Sequence, residues 1–263
     1  MKKLLTLFLL LFLASCVTTH TESRVMMGTD VSIKSSSSHY NNLAFERIEE
    51  VEGMMSTYDN ASKVSVLNNK KRLNASSELV NIIKKGIYYS NLSDGAFDIT
   101  VKPILDLYSH SFEKLHRPPK DDEINKTLKK VDYRRINIED NVIVLKNTSI
   151  TLGGIAKGYA IDQAVKLLKN SGVDYGLVNA GGDIRGFGKD YKVALRNPRN
   201  KREHITIIET RNKAVATSGD YERYFNKNKS FHHIVNPKTG YSARDLISVT
   251  VIADSATAAD ALS

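Results

Sequence analysis

The chain has 263 residues, 41% apolar and 25% charged, with 15 Gly, 5 Pro, one Cys, no Trp and a formal charge of +9. That composition excludes disordered, collagen-like and disulfide-scaffold chains, and it predicts a full hydrophobic core in one domain. Charge alone does not choose between a membrane surface, an acidic substrate and neither. No nucleic-acid partner is expected.

The start of the chain reads as a processing signal. Lys2 and Lys3 precede an apolar run over 4–13, too short to span a bilayer but of the length of a signal-peptide core. Leu13-Ala14-Ser15-Cys16 then reads as a lipobox, with Cys16 the lipidated, palmitate-bearing first residue of the mature protein. Residues 1–15 are therefore expected to be a lipoprotein signal peptide, 16–23 a lipidated tether and 24–263 the working domain. Loss of Lys2 and Lys3 takes the charge from +9 to +7, and no thiol remains for a disulfide, a metal or nucleophilic catalysis. The expected place is the bacterial cell envelope, lipid-anchored on the periplasmic or outer face of the membrane.

Beyond the tether, 24–34 reads as a first strand and 35–38 as a Ser-rich turn. A helix follows over 41–55, with Ala44, Ile48, Val51 and Met55 on one face. Ser76 caps a second helix carrying Leu79, Ile82, Ile83 and Ile87, Asp121 caps a short third, and 134–146 forms a hairpin around Glu139-Asp140-Asn141. Next come a strand over 149–152, two glycines, a helix over 155–170 ended by Gly172 and a strand over 175–179. Further strands are expected at 191–196, 204–210, 214–217, 232–235 and 246–253. A helix begins at 256 and stops at 263 without a Gly or Pro to close it, which reads as a truncated element. The pattern predicts a single mixed domain of the α+β class, helices and strands partly segregated.

The sharpest local signal is Thr151-Leu152-Gly153-Gly154-Ile155-Ala156-Lys157-Gly158-Tyr159, where strand turns into helix. Two glycines admit a ligand to the backbone, the helix N-terminus offers free N–H groups, and Lys157 adds charge: an anion site. The same glycines also serve tight packing with nothing bound. The spacing fits no P-loop, and Gly181-Gly182-Asp183-Ile184-Arg185-Gly186 fits no dinucleotide fingerprint. Asn179-Ala180-Gly181-Gly182-Asp183 reads as a ligand loop or a turn, and His232-His233 lacks the third spaced ligand of a zinc site. Asp94, Asp98, Asp254 and Asp260 sit among small residues that leave room for a hydrated hard cation, or act as helix caps. A basic anion loop beside such carboxylates suggests a Mg-dependent diphosphate site.

Together these residues resemble the ApbE-type FAD:protein FMN transferases. The resemblance runs through Met27-Gly28-Thr29, Met55-Ser56-Thr57-Tyr58, Gly95-Ala96-Phe97-Asp98 with Pro103, the Gly153–Ala160 stretch, Asn179 with Gly181-Gly182-Asp183, Ser218-Gly219 with Tyr221, His233 with Pro237 and Thr239-Gly240, and Ala259-Asp260-Ala261. It implies Mg2+-dependent transfer of FMN from FAD to a Ser or Thr hydroxyl of an acceptor protein, a membrane redox subunit, with release of AMP. The alternative is a lipid-anchored FAD-binding protein or slow FAD pyrophosphatase. By resemblance Met27, Tyr58, Ala96, Phe97, Asp98, Thr151, Lys157 and Ile234 contact FAD, and Gly154, Asp260 and Ser263 hold the metal. His233, Lys157 and Asp260 form the catalytic set, His233 being the candidate base because imidazole titrates near neutrality. Thr151 stands where many members have Asp, and Asn236 replaces the usual Asp before Pro237.

Overall fold

The computed structural model describes residues 19–200, 202–226 and 230–263. Cys16 and the expected signal peptide lie outside the described residues. The chain opens not with one strand over 24–34 but with a hairpin, β1 (His20–Met26) and β2 (Thr29–Ser35), turned by Met27 and Gly28 at φ 53° and 70°. A two-residue turn with both φ positive matches the twist of paired strands, and a Met in that position gives no turn signal in sequence. His20 to Ser23 pair with Ser35 to Ser32, so that half of the expected tether belongs to the sheet.

Helix α1 (Ser38–Met55) starts where the Ser37 hydroxyl accepts from the His39 amide and buries the expected face with Phe45 added. A short helix absent from the sequence reading, α2 (Lys63–Lys70), leads to β3 (Arg72–Asn74). Ser76 caps α3 (Ser77–Leu92) as expected. After a 3-10 turn comes α4 (Lys102–Lys114), also unanticipated, with Pro103 tolerated in its first turn. In α5 (Asp121–Leu128) Asp121 is the first helical residue rather than the cap. That position is Lys120, whose amide donates to Glu123 Oε2 at 2.8 Å. The expected hairpin is β4 (Ile136–Glu139) with β5 (Val142–Leu145).

Residues 149–152 are not a strand. Their amides are taken singly, Ile150 by Asn68 Oδ1 at 2.7 Å and Thr151 by the Ile99 carbonyl at 2.8 Å, so no ladder forms. They feed α6 (Ala156–Asn170), which ends at Gly172 (φ 81°), then β6 (Gly176–Ala180) and β7 (Asp183–Phe187). β7 was hidden in what read as a possible ligand loop. Gly181 and Gly182, at φ 62° and 101°, are the two-residue turn of a hairpin, and Asn179 Oδ1 accepts from the Gly182 amide at 2.9 Å. The ribbon β8 (Asp190–Arg196) and β9 (His204–Arg211) precedes β10 (Ala214–Gly219), β11 (Ser248–Ala253) and α7 (Ala256–Leu262). The stretch 232–235 makes only isolated bridges, Tyr224 to His232 and Val235 to Ser242, in place of the expected strand.

The main sheet has the order β1-β2-β6-β7-β10-β11, antiparallel throughout, with β3-β5-β4 as a second sheet. Helices α1 and α6 bury Ala44, Phe45, Ile48, Ala160, Ile161 and Ala164 in one core with Val31, Ile33 and Val178 of the sheet. The register carries the 27–28 turn, the 181–182 turn and the C-terminal half of β10 to the same end of that sheet. A second, smaller core of Ile104, Tyr108, Ile124 and Val235 braces the segment that carries His233. There Tyr108 stacks on Phe225 at 5.4 Å between centroids and donates to the Gly240 carbonyl at 3.0 Å.

Candidate active site

The glycine loop turns tightly on the Leu152 carbonyl, which accepts from the Ile155 and Ala156 amides at 2.9 and 2.8 Å. Gly153 donates to Thr151 Oγ1 at 3.2 Å. A Cβ on Gly154 would stand 3.0 Å from Phe97 Cε2, so the Phe97 ring lies against the loop. Ile155 gives α6 no side-chain cap; Asp260 of α7 supplies one instead, its Oδ2 accepting from the Gly158 amide at 2.8 Å. Such an approach needs glycine, since a Cβ at Gly158 would fall 2.1 Å from the Ala256 carbonyl oxygen.

Lys157, Asp183 and Asp260 form one cluster at this helix N-terminus. The Lys157 ammonium binds Asp183 Oδ2 and stands 3.5 Å from Asp260 Oδ1, the two carboxylates being only 3% and 4% exposed. Asp183 Oδ1 also accepts from the Thr217 amide at 3.3 Å. Burial works against the Lys157 charge, but Asp260 and Asp183 outweigh it and leave its pKa raised. Asp260 is pushed up to about 6 by burial, against the pull of Lys157 and with the push of Asp183. Lys157, expected as a phosphate ligand, is bound to two carboxylates.

Two buried carboxylates share one ammonium, so the cluster carries one negative charge in excess. Asp260, the Ser263 hydroxyl and the Gly154 carbonyl are hard oxygen donors of the kind Mg2+ takes alongside water. Ser263 Oγ lies 2.9 Å from Ser218 Oγ and 3.1 Å from the Asp260 carbonyl. Among the described residues no three His, Cys, Asp or Glu gather into a full protein cage. The donor set and its charge fit a partly hydrated hard cation.

The Lys157 charge reaches His233. Burial, first, and the charges of Arg223, His232 and Lys157 hold its pKa below 6.5, against the hydrogen bond to Arg223. Its Nδ1 lies 2.9 Å from the Arg223 carbonyl, which can only accept, so Nδ1 carries the proton and Nε2 presents a lone pair. Arg223 Nη1 reaches Tyr58 Oη at 3.5 Å, and its Nη2 lies against Gly28. Met27 and Tyr58 therefore share a rim with Arg223, and Tyr58 is 85% exposed.

Three other expected FAD contacts, Asp98, Thr151 and Ile234, are bonded within the chain. Asp98 is buried and spoken for, its Oδ1 accepting from the Thr100 amide and hydroxyl at 2.7 and 2.6 Å and its Oδ2 from the Tyr133 amide at 3.0 Å. Burial raises its pKa, with those bonds opposing. It positions the loop of exposed Ala96 and half-buried Phe97 from behind. Thr151 is tied to the Ile99 carbonyl and to Gly153, and Ile234 to the Ala243 amide at 2.9 Å. Asn236 Oδ1 caps the Lys238 amide at 2.8 Å, a turn bond an Asp would make equally.

Sequence reasoning missed Asp162 altogether. From the polar side of α6 it binds Arg185, and it accepts from the Ala256 and Thr257 amides, both at 2.9 Å, so it docks the start of α7. Its only sequence signal is an Asp four residues beyond Gly158 on the same helix.

A model of the ApbE family matches residues 27–263. FAD:protein FMN transferases of Vibrio cholerae and Haemophilus influenzae are 32% and 30% identical to this chain, each over 82% of it and over 69% and 68% of their own lengths. The crystal structure of the ApbE protein from Thermotoga maritima superposes with a TM-score of 0.86 at 36% identity, over 93% of this chain and 85% of that one. Flavin transferase ApbE from Vibrio cholerae gives 0.81 at 29%, with the same coverage.

Proposed function

Because the chain belongs to the ApbE family, we propose that it transfers FMN from FAD to a Ser or Thr hydroxyl of an acceptor protein, releasing AMP. The observation that carries this reading is His233, whose Nδ1 is held by the Arg223 carbonyl so that Nε2 carries no proton, within reach of the Lys157 charge and its two carboxylate partners at the head of α6.

In the reaction the acceptor oxygen bonds to the flavin-side phosphorus as the bond from that phosphorus to the AMP oxygen breaks, and AMP leaves with the electron pair. The hydroxyl proton passes to His233 Nε2, and the Nδ1–H bond to the Arg223 carbonyl keeps the ring oriented while it carries the extra charge. Gly153 and Gly154 let the diphosphate approach the backbone at the positive end of α6. Mg2+ held by the Gly154 carbonyl, Asp260 and Ser263 would neutralise charge gathering on the leaving phosphate. Phe97, Met27 and Tyr58 offer ring and thioether faces to the flavin. Lys157 keeps Asp183 and Asp260 together, and so sets the position of the metal ligand.

The lipobox supports a Cys16-acylated protein on the outer side of a bacterial membrane, working on a membrane redox subunit. The test is to incubate the enzyme with FAD, an acceptor peptide and Mg2+ or EDTA. Equal amounts of AMP and FMN-bearing peptide are expected, and only with Mg2+. AMP without modified peptide would favour the pyrophosphatase reading, and neither product would refute both.

A further inference from the structure

We propose that Arg223 is a substrate-binding residue that pairs with the diphosphate of the dinucleotide at the mouth of the cleft; this rests on the transferase reading above. Around the cleft Lys157 is held by Asp183 and Asp260, Lys238 by Asp94 at 2.8 Å, and Arg199 by Asp220 at 3.6 Å. Arg223 has no carboxylate within ion-pair distance among the described residues, and its one side-chain bond is the long one to Tyr58 Oη.

Its placement is as telling as its freedom. The backbone of Arg223 carries His233, through the carbonyl that accepts from Nδ1, while its side chain crosses to the opposite wall, where Nη2 lies 3.1 Å from the place a Gly28 Cβ would take. One residue thus spans from the proton acceptor to the turn and ring that flank the flavin. A dinucleotide seated between them would bring its phosphates within reach of the guanidinium.

Charge balance points the same way. The two carboxylates, Lys157 and one divalent cation sum to a single positive charge, whereas a diphosphate brings two negative ones. The guanidinium supplies the remaining charge, and its planar donors suit phosphate oxygens. It also helps to keep His233 neutral, as the charges of Arg223 and Lys157 both oppose protonation there.

The experiment compares FAD with riboflavin, which shares the ring and lacks the phosphates, binding to unsubstituted protein, R223A and R223K by flavin fluorescence. R223A should weaken FAD by about tenfold to a hundredfold, the range of one charge-assisted contact. Riboflavin affinity should not change, and R223K should recover most of the loss. The side chain is exposed, so the thermal midpoint should stay in place. Unchanged FAD affinity in R223A, or a parallel loss of riboflavin, would overturn the assignment alone. Failure of the unsubstituted protein to bind FAD would overturn the transferase reading and the assignment with it.

Discussion

Gly158→Ala is the sharpest perturbation of the site, because one methyl group meets backbone rather than side chain. The new Cβ would sit 2.1 Å from the Ala256 oxygen, where ordinary contact begins at 3.4 Å, so α7 must retreat by 3.4 minus 2.1, or about 1.3 Å. Overpacking of that order costs about 1–3 kcal/mol. Stretching the buried bond from the Gly158 amide to Asp260 loses about 1.5–3 kcal/mol more, and the better helix propensity of Ala returns about 1 kcal/mol. The net is a loss of about 1.5–5 kcal/mol, and at about 3 °C per kcal/mol for a domain of this size the midpoint should fall by roughly 5–15 °C. A 1 Å misplacement of a catalytic group costs about a hundredfold in rate, so FMN transfer should fall at least that far through Asp260. Circular dichroism melting and a peptide flavinylation assay measure the two effects. An unchanged midpoint with an unchanged rate would refute the claim that α6 and α7 touch here.

His233→Gln should lower transfer by about a hundredfold to ten-thousandfold while FAD affinity holds, measured by steady-state kinetics beside fluorescence titration. Since its pKa is depressed, the neutral base persists at and somewhat below pH 6.5, and the acid limb of kcat/KM should lie below 6.5; a limb above that value contradicts the burial argument. For Asp260 the sign is opposite: its folded-state pKa of about 6 exceeds the ordinary 3.8, so its stabilising protonation is complete below 3.8 and lost as pH rises through about 6. EDTA-treated protein should therefore lose thermal stability over that window, and Asp260→Asn should lose less. Lys157→Met strands two buried carboxylates and should cost about 3–5 kcal/mol in denaturant unfolding. Cys16→Ser should leave an unacylated protein in the soluble fraction; if it still sediments with membranes after a salt wash, the lipid is not what holds it.

What was legible in the sequence was what local chemistry determines. Ser76 announces α3, the 139–141 turn its hairpin, and the glycines with Lys157 the head of α6, because each acts within a few residues. The missed elements lack such marks. α2 is eight residues of mixed polarity, α4 carries Pro103 where proline usually means a break, and β7 follows two glycines that equally suit a ligand loop. The site was legible as a set of residue types but not as a set of bonds. Nothing near Lys157 says that its charge is taken by a residue 26 positions on and another 103 on, or that Asp98 turns inward to hold Thr100 and Tyr133.

The bonds that complete the charge cluster share another property, which is distance along the chain. Gly158 meets Asp260 across 102 residues, and Asp162 meets Ala256 across 94. Contacts of such separation carry the entropy cost of closing a long loop, whereas α6 and the β6–β7 hairpin are built from neighbours. The charge cluster is accordingly whole only when that long loop is closed and helix α7 sits beside Asp162.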